Sequence, residues 1–147
     1  MSTSGVAMPD IELAIIAFLK DDFELEDLVH GRIYAELPAG VNYPALRVRR
    51  ISGRAGVPRW LDAATIEVAG WGHRAEASAR RDARDTCELA VRALHDLQNT
   101  IVRDAVLCGP VATFGPREVP DTLASGVSNP RFIAEVSITY HPAPAGS

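Results

Sequence analysis

Cysteine is scarce in this chain of 147 residues, with Cys87 and Cys108 standing alone and far apart. They form no CxxC pair and no zinc pattern, so a disulfide-rich scaffold and a Cys-based metal domain are excluded. The expectation is two buried, reduced thiols. Lysine is scarcer: the one Lys, Lys20, stands against fourteen Arg. No apolar run reaches the roughly 18 residues that a membrane-spanning helix needs. Met1 to Gly5 lacks a basic region followed by a long apolar stretch, so a secretory signal is not expected and the chain is read as folding in a cytoplasm. An excess of positive charge is also missing. The net charge is −4, which argues against a general nucleic-acid binder.

Catalytic signatures are missing too. His30, His73, His95 and His141 are scattered, with no pair at helical spacing for a metal. Cys87 and His95 are separated by eight helical residues, about 12 Å, too far for a catalytic dyad. Ser125 and Ser128 sit in no GxSxG elbow. Gly70-Trp71-Gly72-His73-Arg74-Ala75 has the GxGxxA form of a dinucleotide turn, following a strand and opening a helix. Its bulky Trp and the lack of repeated βαβ units favour a tight strand-to-helix turn instead. No enzyme, no cofactor and no metal is expected.

What is present is one domain's worth of ordinary globular composition, 47% hydrophobic and 23% charged. Residues 1–8 read as a flexible arm, 9–141 as a single domain, and 142–147 as a tail. Ile11, Ala14, Ile15, Phe18 and Leu19 recur at helical spacing, predicting a helix from about Pro9 to Lys20. Asp21 and Asp22 weaken its C-terminal end. Alternation predicts strands at Arg32–Leu37, with Ile33, Ala35 and Leu37 on one face, at Ala45–Ile51 and at Ala63–Ala69. A long helix follows, with Ala75, Ala79, Ala83, Cys87, Ala90, Leu94 and Leu97 as its apolar stripe and Asn99 as its stop. Ile101–Cys108 is a further strand, Gly109–Pro130 a long Pro-containing loop, and Phe132–Tyr140 the clearest alternating strand. Short links favour antiparallel pairing. The expected fold is α+β, with a mixed, mainly antiparallel sheet of four to five strands and two helices packed on one face.

Charge is segregated along the chain. Residues 10–27 carry a net −6, residues 28–59 a net +5, and the remainder −3. Asp21, Asp22 and Glu24 belong to the acidic cluster. Arg47, Arg49, Arg50, Arg54 and Arg59 form an Arg-rich set, with Trp60 beside it on the loop between two strands. Trp and Arg are enriched in binding hot spots. Two such patches on opposite flanks would let copies associate head to tail. Two solvated faces, and Trp60 folded back as a lid, are the plainer alternatives.

Taken together, these segments resemble a known family over about residues 9–141. An opening helix precedes Gly31–Pro38 (GRIYAELP). Tyr43–Val48 (YPALRV) starts a strand. Ala64–Gly72 (ATIEVAGWG) leads into an Ala- and Arg-rich helix. A Pro- and Gly-rich loop precedes Arg131–His141 (RFIAEVSITYH). The pattern is similar to the tail terminator proteins of long-tailed bacteriophages, also called minor tail or tail-completion proteins. The resemblance implies a virion protein of the tail or neck, assembled in the host cytoplasm and forming a homo-oligomeric, hexameric ring. That ring would cap the tail tube protein, stop its polymerisation and meet the head–tail connector or stopper protein. DNA would pass through the lumen without specific binding, and no membrane or cofactor is implied. Asp21, Asp22, Glu24, Arg47, Arg49, Arg50, Arg54, Arg59 and Trp60 are the expected subunit or partner contacts, with Arg117 and Glu118 on the long loop. Other head–tail neck components share this design. A small anion- or nucleotide-binding domain using the Gly70–Ala75 turn, and a nucleic-acid module using the Arg set, are alternatives of other classes.

Overall fold

The computed structural model describes residues 9–55, 62–122 and 128–144. The expected arm at 1–8 and residues 145–147 of the expected tail lie outside the described residues.

Helix α1 spans Ile11–Lys20, and the Asp10 side chain caps it by accepting the Leu13 N–H at 3.2 Å. Ile15 and Leu19 are fully buried on its inner side. A second helix, α2, follows at Phe23–Val29 and was not foreseen. The acids that weaken the end of α1 serve its start. Asp22 accepts the Leu25 N–H at 3.0 Å, and Glu24 and Glu26 occupy the first turn. Leu25 and Val29 are buried, which anchors so short a helix. His30 (φ 50°) and Gly31 (φ 78°) end it in the left-handed region.

The main sheet has six strands rather than four or five. They are β1 (Ile33–Tyr34), β2 (Ala45–Ala55), β3 (Asp62–Trp71), β4 (Thr100–Val102), β5 (Ala105–Glu118) and β8 (Arg131–Pro142). A separate two-stranded ribbon pairs β6 (Asp121–Thr122) with β7 (Ser128–Asn129). The order in the sheet is β1-β2-β3-β8-β5-β4. Every pairing is antiparallel except β1 with β2, which is parallel. The expected antiparallel start fails because residues 35–44, turning at Gly40 (φ 70°), carry the chain back to the same end. The strand expected at Arg32–Leu37 is also cut to two residues. Ile33 packs in the main core while Leu37 packs on the sheet's other face.

Most of the expected loop at Gly109–Pro130 is strand. β5 runs through Pro110 and Pro116 by slipping register against β8 three times, between Leu107 and Pro110, Pro110 and Thr113, and Phe114 and Arg117. Such bulges let a strand absorb residues that cannot donate to the ladder.

Helix α3 spans Ala79–Leu94, four residues later than its apolar stripe suggests, and Ala75 is exposed. Ala79, Ala83, Cys87, Ala90 and Leu94 are buried against β3 and β8. With α1 it covers the face of Val48, Ala64, Ile66, Val68, Phe132, Ala134, Val136, Ile138 and Tyr140, forming one core. Small residues bring α3 very close. A Cβ on Gly70 would stand 2.7 Å from the Ala83 carbonyl oxygen, and one on Gly72 would collide with the Ala79 backbone.

Candidate interaction surfaces

The GxGxxA turn is occupied by the protein itself. The open sides of Gly70 and Gly72 face the α3 backbone, and the Gly72 N–H donates to the Pro130 carbonyl at 3.1 Å. The glycines serve helix–sheet packing and leave no room for a pyrophosphate. Cys87 and Cys108 are free thiols, the first buried and the second half-buried, so the expectation of two buried thiols holds for Cys87 alone. Burial pushes the Cys87 thiol up to about 12, with Glu88 adding to the shift. Its Sγ donates to the Val68 carbonyl at 3.6 Å, while His95 pairs with the Thr113 hydroxyl at 3.0 Å. The two side chains face different partners. Among the described residues, no group of three or more His, Cys, Asp and Glu could hold a metal ion, and no helix is long and apolar enough to cross a membrane.

The sheet face away from the helices carries the polar half of each alternating strand. Glu67 on β3 is buried there, 8% exposed. Its Oε1 accepts from Arg47 at 2.7 Å and from Arg49 at 3.0 Å, both on the adjacent β2. Burial of a carboxylate is tolerable because two guanidinium groups satisfy it. The Arg47 guanidinium also lies 5.1 Å from the Trp71 ring centroid, and Arg131 lies 5.6 Å from it. Two cations thus sit over one indole, the ring best suited to them. The Trp71 indole N–H donates to Asp121 at 2.9 Å and ties the β6–β7 ribbon to the sheet. Arg131 Nε donates to the Val119 carbonyl at 2.9 Å and closes the same corner. Tyr43, Leu37 and Val119 pack on Trp71 and Ile133. Burial and the Asp121 carboxylate push the Tyr43 phenol up, and Arg74 opposes them.

The Arg-rich set does not form one patch. Arg47 and Arg49 share the uncovered face. Arg50 points to the helix side, where its NH1 donates to the Tyr140 hydroxyl at 2.9 Å and its backbone N–H donates to Glu12 at 2.8 Å. Odd and even strand positions must part in this way. Arg54 falls on β2 opposite Ala63, and Arg59 and Trp60 lie outside the described residues. Arg117 and Glu118 part likewise. Arg117 is exposed on the uncovered face, and Glu118 pairs with Arg80 of α3 at 2.9 Å. Asp21 is exposed at the end of α1, Asp22 is committed to capping α2, and Glu24 meets Arg92 of α3 at 3.5 Å.

Open grooves flank the helices. One, about 600 Å³, lies between the end of α1, the end of α3 and β4, with Phe18, Asp21, Asp22 and Ile101 in its lining. Another, about 440 Å³, separates α2 from α3. Sequence reasoning missed the Glu67–Trp71–Arg131 cluster, the α2–α3 groove and two exposed aromatics, Phe23 (90% exposed) and Phe114 (71%). Glu67 left one signal, a carboxylate in mid-strand between two apolar neighbours. Phe114 left none, because its segment reads as loop.

Neither protein-family models nor curated protein sequences give a match to the chain. Among solved structures the fold is similar to a chain in "Virion of native gene transfer agent (GTA) particle". The TM-score is 0.60 and the identity 14%, over 90% of this chain and 95% of that one. At that identity the likeness is one of fold alone.

Proposed function

We propose that this chain is a structural protein of a phage-like virion, and specifically a tail terminator. It forms a ring, hexameric by the family resemblance, that caps the tail tube, stops tube polymerisation and offers its other face to the head connector. The observation that carries the reading is the fold likeness, over nearly the whole of both chains, to a component of a gene transfer agent virion. The segment pattern from GRIYAELP to RFIAEVSITYH supports it independently. The surface chemistry fits a binding rather than a catalytic role. The buried carboxylate is consumed by two Arg, the buried thiol is held protonated, and the glycine turn is filled by α3. The exposed side chains include Arg49, Arg117, Phe23 and Phe114, of the types enriched in protein contacts.

The test is to add the purified protein to polymerising tail-tube protein and image the product by electron microscopy. The expected result is short tubes with an extra ring at one end. Tubes of unchanged length with nothing docked would sink the terminator reading. The virion likeness equally supports another head–tail neck component, which would then be tested by docking on the portal-side ring.

A further inference from the structure

The α2–α3 groove has the chemistry of a receptor for a basic, aromatic knob. Its lining is mostly charged: Asp27, Asp85 and Glu88 make it acidic, and Leu28 and Leu89 add an apolar contact. The cation in its lining, Arg92, already pairs with Glu24. Asp85 has Arg84 beside it at 3.7 Å, which leaves Asp27 and Glu88 as the exposed acids with no ion pair among the described residues.

The same chain carries a knob of the matching kind. Phe114 on β5 is 71% exposed. It registers with Glu135, and Arg117, also exposed, registers with Ile133, so both stand on the uncovered face. Beyond Leu107, β5 has no outer neighbour in the sheet among the described residues. Groove and knob point in different directions. Arg80 and His95 mark the side of α3 turned to β5, through Glu118 and Thr113. Asp85 and Leu89 lie on another side, turned to α2. A copy therefore cannot satisfy its own groove with its own knob.

We infer that the α2–α3 groove of one copy receives the Phe114–Arg117 stretch of β5 from a second copy. Phe114 enters between Leu28 and Leu89, and Arg117 meets Asp27 and Glu88. The inference rests on the ring reading above and names the two surfaces that would build the ring. Because the surfaces differ, the contact is heterologous and repeats head to tail until a rotation closes it. Exposed aromatic and Arg side chains against an acidic groove with two leucines in its lining supply both desolvation and register.

The test is disulfide trapping in a Cys108→Ser background. One chain carries Asp27→Cys with Phe114→Cys, and a control chain carries Glu76→Cys with Phe114→Cys. Both are mildly oxidised, alone and on tubes they have capped. A reducible ladder of dimers and larger species is expected for the first pair and not for the control. No ladder in either sample, or an equal ladder in the control, overturns the inference. Capped tubes without a ladder sink this interface and leave the terminator reading standing. A ladder without capped tubes does the reverse. As a second measure, Arg117→Glu should weaken self-association at least about tenfold, and adding Glu88→Arg should restore most of it. Failure of that rescue would also count against the pairing.

Discussion

Glu67→Ala is the sharpest probe of the uncovered sheet face. The substitution leaves Arg47, whose side chain is 17% exposed, with no carboxylate, and frees Arg49, which is 48% exposed. A hydrogen bond to a charged group contributes about 1.5–3 kcal/mol where the partner is buried. The half-exposed Arg49 arm adds only about 0.5 kcal/mol, since water replaces Glu67 there. The expected loss is therefore about 2–3.5 kcal/mol. For a domain of this size that is a fall in Tm of about 5–10 °C. Urea unfolding followed by circular dichroism reads the change as a lower midpoint at constant slope. Because Arg47 and Glu67 are mostly removed from water, the loss should persist in high salt. Glu67→Gln, which keeps the shape and one acceptor, should lose less. Adding Arg47→Leu to Glu67→Leu should recover part of the loss, because no charge then remains buried without a partner. A Glu67→Ala protein within about 0.5 kcal/mol of wild type would refute the claim that this carboxylate holds the two arginines in place.

Three further outcomes follow from the same structure. Gly72→Ala should destabilise the protein by about 2 kcal/mol or more in thermal melts, because the added methyl meets the Ala79 backbone, which cannot rotate aside. The Cys87 thiol, at about 12 when folded, lies above the unfolded value near 9. Below pH 9 both states hold the proton and stability is complete. Between 9 and 12 only the unfolded chain releases it, so stability should fall with rising pH by up to about 1.4 kcal/mol per unit. Cys87→Ala should flatten that limb of a pH-resolved unfolding series. Trp71→Phe removes the indole N–H bonded to Asp121 and should cost about 1 kcal/mol, with faster hydrogen exchange at Asp121 and Asn129 as the local readout.

Where a single face of an element is buried, the sequence pattern was enough to find it. Ala134 to Tyr140 alternates in sequence and in burial alike, and the stripe from Ala79 to Leu94 meets the sheet as its spacing requires. What escaped was structure held by features with no periodicity. α2 is seven residues long and rests on one cap and two buried side chains, too little for a pattern. β5 hides its pairing behind bulges at Pro110 and Pro116. The candidate surfaces follow the same division. The Arg residues of β2 were visible as a charge run, but pleating divides them between faces, and only tertiary contact gives Arg47 and Arg49 to Glu67 while Arg50 goes to Tyr140. Tyr43, Trp71, Asp121 and Arg131 come together from four places in the chain, so no local motif announces them.

The interrupted course of β5 has a consequence for growth. A sheet that ends in a long, regular strand is a template, and any extended chain can add to it. Here the exposed margin is spoiled: two prolines offer no N–H, and each shift of register breaks the even spacing an incoming strand would need. That margin is therefore a poor template for adding a further strand edge to edge. Contacts made there through side chains have shapes and charges that fix the angle between neighbours, and a fixed angle is what allows an assembly to close on itself and stop.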